Sequence, residues 1–382
     1  MAGTRELTQQ IKDKAYQLGF VLVGVTGPEP PPHMDVYRDW VKNGRNGEMD
    51  YLKGDRACTR RIDPREILPE CKSVLVLGVP YSNPDSKVRP RSDYGQIAAY
   101  AWGEDYHLVL PERLKAIVEF IEHQLGHPVP NRWYTDTGPI LEREFAQRAG
   151  LGWIGKNTML INPEKGSYFL LAEILLGIEL EQGEPLETDH CGSCTRCIEA
   201  CPTDCILTDR TLDASRCISY LTIELKGQIP TDLRPQMGDW IFGCDVCQAV
   251  CPWNGRFAQA SGDPSFFPQS GCDTVEIEGE LSLSVEAFDR KFKNSPVKRA
   301  KRRGYLRNVA VALGNQGNDV SVPALRRTLQ METEPLVRGH AAWALGAIGG
   351  QAAILALREG LDNEQEEAVI EEIHSALREA DD

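Results

Sequence analysis

Cys191-x2-Cys194-x2-Cys197-x3-Cys201-Pro202, then Cys217, then Cys244-x2-Cys247-x3-Cys251-Pro252, is the stretch on which the organisation of the chain turns. The first run, closed by Cys-Pro, matches the ferredoxin pattern in which three cysteines hold one [4Fe-4S] cubane and the fourth crosses to another. The second run lacks its earliest cysteine, and Cys217 fills that vacancy. By the ferredoxin pattern the ligands divide into Cys191, Cys194, Cys197 with Cys251, and Cys201, Cys217 with Cys244, Cys247. Structural zinc also uses Cys-x2-Cys pairs, but three cysteines at successive two-residue gaps before Cys-Pro are unusual for it. Cys58, Cys71, Cys205 and Cys272 are left over. Cys205 is close enough in sequence to substitute as a ligand, although the count closes with it as a packed thiol.

A chain of 382 residues has material for two or three domains. Its net charge of -14 favours solubility and excludes a surface that is basic throughout, while leaving room for a local patch. No early apolar segment reads as a signal peptide, and no later run is long enough to span a bilayer. The 12 cysteines therefore read as reduced ligands and core residues of a cytoplasmic protein.

Before the cysteines the pattern is mixed α/β. Leu7, Ile11, Ala15 and Leu18 recur at helical spacing, as do Leu110, Leu114, Ile117, Val118 and Ile121. Ser73-Val74-Leu75-Val76-Leu77 is an unbroken apolar strand, which predicts a sheet covered on both faces. A loop rich in Pro, Ser, Asp and Arg is expected from Pro80 to about Asp93. Arg56, Arg60, Arg61 and Arg65 read as a solvated surface or an anion contact. Asn131 to Tyr134 leads into Thr135-Asp136-Thr137-Gly138, and a helix is expected from Leu141 to Ala149. Asp136 thus falls at a strand-to-helix junction, where a side chain can cap, turn or face a cleft. Gly150 to Asn157 is glycine-rich but is neither a Walker A loop nor a dinucleotide fingerprint.

After Pro252 comes a linker without clear periodicity. Arg290, Lys291, Lys293, Lys298, Arg299, Lys301, Arg302, Arg303 and Arg307 then form a positive island with no intervening acid, either a solvated helix face or a contact for phosphates. From Tyr305 short apolar-faced helices, broken by Gly and Asn or Asp, look like HEAT-type pairs. The expected architecture is an α/β domain over 1–180, a ferredoxin-like double-cluster module over 181–265, a linker ending in a basic region over 266–304, and HEAT-like helical repeats over 305–382.

Several further motifs carry a resemblance. Arg61, Trp102-Gly103-Glu104-Asp105-Tyr106-His107, Tyr134-Thr135-Asp136-Thr137-Gly138, Gly155-Lys156-Asn157, Gly166-Ser167-Tyr168, the eight ligand cysteines and Trp343-Ala344-Leu345-Gly346 together resemble the epoxyqueuosine reductase family over nearly the whole chain. The central part is also similar to the cobalamin and double-cluster modules of reductive dehalogenases. One departure is Ala98, matched to a region where some family members carry a cysteine.

The resemblance implies base-off cobalamin between the α/β domain and the cluster module, with Arg61, Trp102, Tyr106, His107, Lys156, Asn157, Ser167 and Tyr168 as its binding residues. It implies reduction of epoxyqueuosine in a tRNA anticodon loop to queuosine, with Asp136 as the general acid and an external low-potential electron donor. The tRNA is expected across Lys298, Arg299, Lys301, Arg302 and Arg303, on a monomeric enzyme with no membrane partner. Two other classes fit the same motifs: a cobalamin-dependent reductase of a small molecule, and an iron-sulfur electron carrier with a protein-binding helical tail.

Overall fold

The computed structural model describes residues 2–81, 94–186, 188–258, 262–269, 272 and 275–381. Most of the loop expected from Pro80 to about Asp93 lies outside the described residues. The chain forms two compact units, each discontinuous in sequence. One comprises Met1–Ser86, Gly103–Ala214 and Val246–Phe267; the other comprises Lys87–Trp102, Ser215–Asp245 and Pro268–Asp382. The segment 181–265, expected as one module, is therefore divided between them. Compactness follows contacts between distant segments, which a linear composition shift does not report.

The first unit is built on a four-stranded sheet of β1 (Leu22–Thr26), β2 (Ser73–Pro80), β3 (Asn131–Tyr134) and β4 (Phe169–Leu176), in spatial order β1-β2-β4-β3. Every pairing is antiparallel. The unbroken apolar run of β2 is buried on both faces, as its sequence predicts: Val74 to Leu77 are at most 1 % exposed. The helices α1 (Ala2–Gln17) and α2 (Tyr106–Leu125) pack against each other through the stripes read from their spacing, with Ile11, Leu110, Leu114, Ile117 and Ile121 buried. On another side, α3 (Glu142–Arg148) presses Phe145 and Ala146 into a core with Leu22, Val74, Val76 and Leu175. Burying Phe145 alone contributes on the order of 2 kcal/mol. The close approach here requires Gly24, because a Cβ at that position would stand 2.4 Å from the carbonyl oxygen of Ala149.

The register of β4 sets a carboxyl deep in this sheet. Glu173 lies opposite Val76 on one neighbour and opposite Tyr134 on the other. An acidic side chain is thereby placed inside the most buried strand pair of the unit, two residues along the neighbouring strand from Asp136.

The second unit is dominated by five helices: α4 (Lys301–Gln316), α5 (Val322–Met331), α6 (Pro335–Ile348), α7 (Gly350–Asn363) and α8 (Glu367–Asp381). Gly346 on α6 permits the tight crossing with α8, since a Cβ there would lie 2.8 Å from the Cα of Ala376. Gly304 to Gly314 of α4 are all buried, so this helix is a core strut rather than an amphipathic surface helix. It also organises the shorter segments of its unit. The buried Arg307 guanidinium donates to the carbonyls of Leu221, Leu225 and Gly227, and the Asn308 amide donates to those of Thr222 and Ile241.

Candidate active site

Asp136 follows β3 in a left-handed backbone conformation, φ 59°. A non-glycine residue there costs on the order of 1 kcal/mol, and local hydrogen bonds hold it. Its backbone N–H donates to Oε1 of Glu142 at 2.6 Å, and the preceding Thr135 hydroxyl donates to the carbonyl of Leu171 on β4 at 2.9 Å. The Asp136 carboxyl is about half exposed. It accepts from the Tyr106 hydroxyl at 3.0 Å and stands 3.4 Å from Nε2 of His107.

Tyr106 and His107 reach this point because Asp105 caps α2, accepting the backbone N–H of His107 at 3.0 Å. The same carboxylate is 2.8 Å from Nδ1 of His107. Burial opposes a charge on this imidazole, but the hydrogen bonds and negative charges of Asp105 and Asp136 outweigh it, raising the pKa to about 9. His107 is thus an imidazolium at neutral pH, facing the half-exposed carboxyl of Asp136.

Two further carboxyls stand behind Asp136. Glu142 is pushed up to about 7, by burial and then by the charge of Asp136. Glu173 is 0 % exposed and is held well above the usual carboxylate range by burial and by Glu142. Neither residue was marked by motif or resemblance. The signal available was Glu173 itself, the one charged side chain in the apolar run Phe169 to Leu176.

The residues expected to bind cobalamin stand in different settings. Arg61 is buried on the helix Asp55–Ile62, with its guanidinium 5.8 Å from the Tyr37 ring centroid. One of its nitrogens donates to the Ala57 carbonyl at 3.2 Å, which leaves most of its five N–H groups for an acceptor-rich ligand such as the amide fringe of a corrin. Tyr106 and His107 belong to the acid cluster, and Tyr168 lies edge-on to Tyr81. Trp102, in the other unit, is buried with its indole N–H on the Ile97 carbonyl at 2.7 Å.

Lys156, Asn157 and Ser167 are engaged by protein. Lys156 donates to the carbonyls of Gly192 at 2.7 Å and Cys194 at 3.0 Å, and Asn157 to that of Cys247 at 3.3 Å. Ser167 is buried among the side chains of Gln248 and Asn254. These contacts fit a scaffold for the cysteine loops better than a ligand surface.

The four thiols Cys191, Cys194, Cys197 and Cys251 line one cavity of about 50 Å³, together with Lys156, Ile161 and Trp253. They are the set that the ferredoxin pattern assigns to a single cubane. Four thiols around one cavity are the donor set that a [4Fe-4S] cluster takes. The Trp153 indole stands 3.5 Å from the Cys191 sulfur and packs edge-on against Trp253, giving the cavity an apolar wall. Of the second set, Cys201 and Cys247 belong to the first unit, and Cys217 and Cys244 to the second. The Cys201 sulfur lies 3.4 Å from that of the buried Cys205, and this hydrogen bond with others from Thr203 lowers its pKa to about 5.

The positive island is not uniform. Lys298 pairs with Asp289 at 3.0 Å and Arg299 with Glu224 at 2.7 Å, both near the surface, and Lys301 and Arg303 are exposed. Arg302 departs from the expected phosphate-contact role. It is largely buried, its guanidinium forks onto Glu332 at 3.1 and 2.6 Å, and Nε donates to the Leu283 carbonyl. Arg307 is wholly internal.

Comparison with known proteins matches these parts. Residues 61–137 match the family described as epoxyqueuosine reductase QueG, DUF1730; residues 190–254 match a 4Fe-4S double cluster binding domain; residues 301–378 match HEAT repeats. Epoxyqueuosine reductase of Pseudomonas aeruginosa is 39 % identical over 342 residues, 89 % of this chain and 94 % of that protein. Its counterpart from Escherichia coli is 38 % identical over 343 residues, 89 % of each. Among solved structures, an epoxyqueuosine reductase with an epoxyqueuosine-modified tRNA-Tyr stem loop superposes at TM-score 0.90 with 30 % identity, covering 99 % of both chains. The Bacillus subtilis structure, described with its catalytic aspartate loop swung out of the active site, superposes at 0.88 with 31 % identity, covering 98 % of this chain and 99 % of that one. A catabolic reductive dehalogenase reaches only 0.41 at 16 % identity, too remote to bear on the cofactor. On relatives so similar over nine-tenths of its length, this chain belongs to the epoxyqueuosine reductase family.

Proposed function

We propose that this chain reduces the epoxide of epoxyqueuosine in a tRNA anticodon loop to the cyclopentenediol of queuosine, the last step in making that nucleoside. The reaction is a net deoxygenation that consumes two electrons and two protons and releases water. When bound, cobalamin and two [4Fe-4S] clusters would supply the electrons, from an external low-potential donor. The four-thiol cavity suits one cluster, and the Arg61 guanidinium, with one nitrogen on the Ala57 carbonyl, suits an acceptor-rich ligand such as the corrin.

The observation that carries the reading is the half-exposed Asp136 carboxyl beside Tyr106 and His107. As a carbon-oxygen bond of the epoxide breaks, its oxygen gains negative charge and needs a proton. Asp136 relays to it the proton carried by the imidazolium of His107, 3.4 Å away. Tyr106 fixes the carboxyl through its hydroxyl. The Bacillus subtilis relative, whose catalytic aspartate loop is described as swung out, supports reading Thr135 to Gly138 as the loop that carries the acid.

In the second unit, Lys298, Arg299, Lys301 and Arg303 are the cations suited to tRNA phosphates, at a surface reached without breaking buried ion pairs. The reading includes a monomeric enzyme acting in the cytoplasm. Among the described residues, no helix is long and apolar enough to cross a membrane.

The test is anaerobic turnover of epoxyqueuosine-containing tRNA with a reduced donor, with and without added cobalamin, followed by nucleoside mass analysis. Queuosine formed only with tRNA substrate and cobalamin is the expected result. Reduction of small-molecule halides without conversion of the tRNA would favour the small-molecule reductase, and absence of cobalamin uptake would favour the electron carrier.

A further inference from the structure

The loop bearing Asp136 is held from behind by carboxyls to which the chemistry assigns no role. Oε1 of Glu142 accepts the backbone N–H of Asp136 at 2.6 Å, at a residue whose φ of 59° is unfavourable for a side chain larger than glycine. Glu142 opens α3, whose Phe145 is anchored in the core, so the acceptor is presented by a rigid element. Glu173, from the central strand β4, faces Glu142 and is 0 % exposed. Among the described residues the oxygens of Glu173 have no partner other than the carboxyl of Glu142. A buried carboxyl with no cation beside it and a second carboxyl in front of it retains its proton. Glu173 is therefore a neutral O–H donor available to Glu142. The groups facing Glu142 are Asp136 from the loop, Arg143 from its own helix and Glu173 from the strand.

We infer that Glu142, backed by Glu173, is a positioning residue for the reduction: it grips the Asp136 N–H and so fixes the left-handed backbone that aims the acid at the epoxide oxygen. This rests on the reading of Asp136 as the acid. Glu142 acts through the loop and touches no reacting atom. A carboxyl pair, partly open at Glu142 and closed at Glu173, suits the task because a single shared proton leaves an acceptor for the loop and a donor behind it.

The order of conservative variants separates this role from a purely structural one. Glu142→Gln keeps an oxygen at the same reach and should keep most of the rate. Glu142→Asp keeps the charge but withdraws the oxygen by one methylene, and should lose rate; Glu142→Ala should lose about 10²-fold, the scale of a misplaced catalytic group. Glu173→Gln, a neutral stand-in for the protonated acid, should be tolerated. The measurement is anaerobic single turnover of an epoxyqueuosine stem loop by the cofactor-replete full-length enzyme, with stem-loop Kd and iron content determined alongside. The expected result is a loss in rate for Glu142→Asp and Glu142→Ala with unchanged Kd and iron. If Glu142→Asp is active and Glu142→Gln is not, charge rather than grip is what matters and the inference is overturned. A wild-type rate for Glu142→Asp beside an inactive Asp136→Asn overturns the positioning role and leaves the acid in place, whereas an active Asp136→Asn overturns the acid itself.

Discussion

His107 stands between two carboxylates, with Nδ1 2.8 Å from Oδ1 of Asp105 and Nε2 3.4 Å from Oδ2 of Asp136. One partner belongs to the helix cap and the other to the proposed acid. The ring is therefore oriented by the fold on one side and available for proton exchange on the other, an arrangement in which a carboxylate orients an imidazole and raises its basicity.

This arrangement makes stability depend on pH in a defined direction. The folded-state pKa of His107 is raised from 6.5 to about 9. Its protonation therefore stabilises the fold fully below the unfolded value, and that contribution is lost as pH rises through about 9. Urea midpoints of the wild type and a His107→Gln variant, followed from about pH 6 to about pH 10, should converge at the alkaline end. A constant difference across the range would show that His107 carries no extra proton in the folded protein.

The cysteine assignment gives a stoichiometric expectation. Anaerobically reconstituted wild type should hold about eight iron atoms per chain, and Cys197→Ala about four, because it opens only the cavity shared with Cys191, Cys194 and Cys251. Cys217→Ala should remove the other cluster and spare this one. Iron analysis with electron paramagnetic resonance reads both, and retention of two normal clusters by either variant would contradict the ligand sets.

Within the positive island, affinity and stability should separate. Replacing Lys298, Arg299, Lys301 and Arg303 with Ala should weaken tRNA binding and flatten its salt dependence, with little change in thermal unfolding. Arg302→Ala should act differently. It strands the nearly buried carboxylate of Glu332, a loss on the order of 3 kcal/mol, while salt dependence stays close to wild type. Equal behaviour of the two variants in a salt titration would show that burial does not divide the island as described.

The sequence discloses these features unevenly, for physical reasons. Cluster ligands are legible because coordination geometry fixes their spacing along the chain, so Cys191, Cys194 and Cys197 announce themselves. Strand β2 is legible because burial on both faces makes it apolar throughout, and helix α2 because burial of one face enforces a helical period. The fate of Arg302 and Arg307 is not, since a buried arginine and a solvated one look alike until tertiary partners such as Glu332 and the carbonyls of Leu221 and Leu225 are known. Asp136 is marked by resemblance and is otherwise an ordinary junction residue. Glu142 and Glu173 are silent because their relationship is one of register: Glu173 opposes Tyr134 across two strands nearly forty residues apart, which no local pattern records. Likewise, the division of residues 181–265 between two units reflects packing of segments remote in sequence.

Asp136 is proposed to deliver a proton to the epoxide oxygen of a tRNA nucleoside. This role is tested most directly by comparing wild type and Asp136→Asn, both loaded with cobalamin and both clusters, in anaerobic conversion of epoxyqueuosine tRNA read by nucleoside mass. Asp136→Asn should bind tRNA and cofactors normally but convert the tRNA roughly 10²- to 10⁴-fold more slowly. Conversion at the wild-type rate by the fully loaded variant would contradict that role.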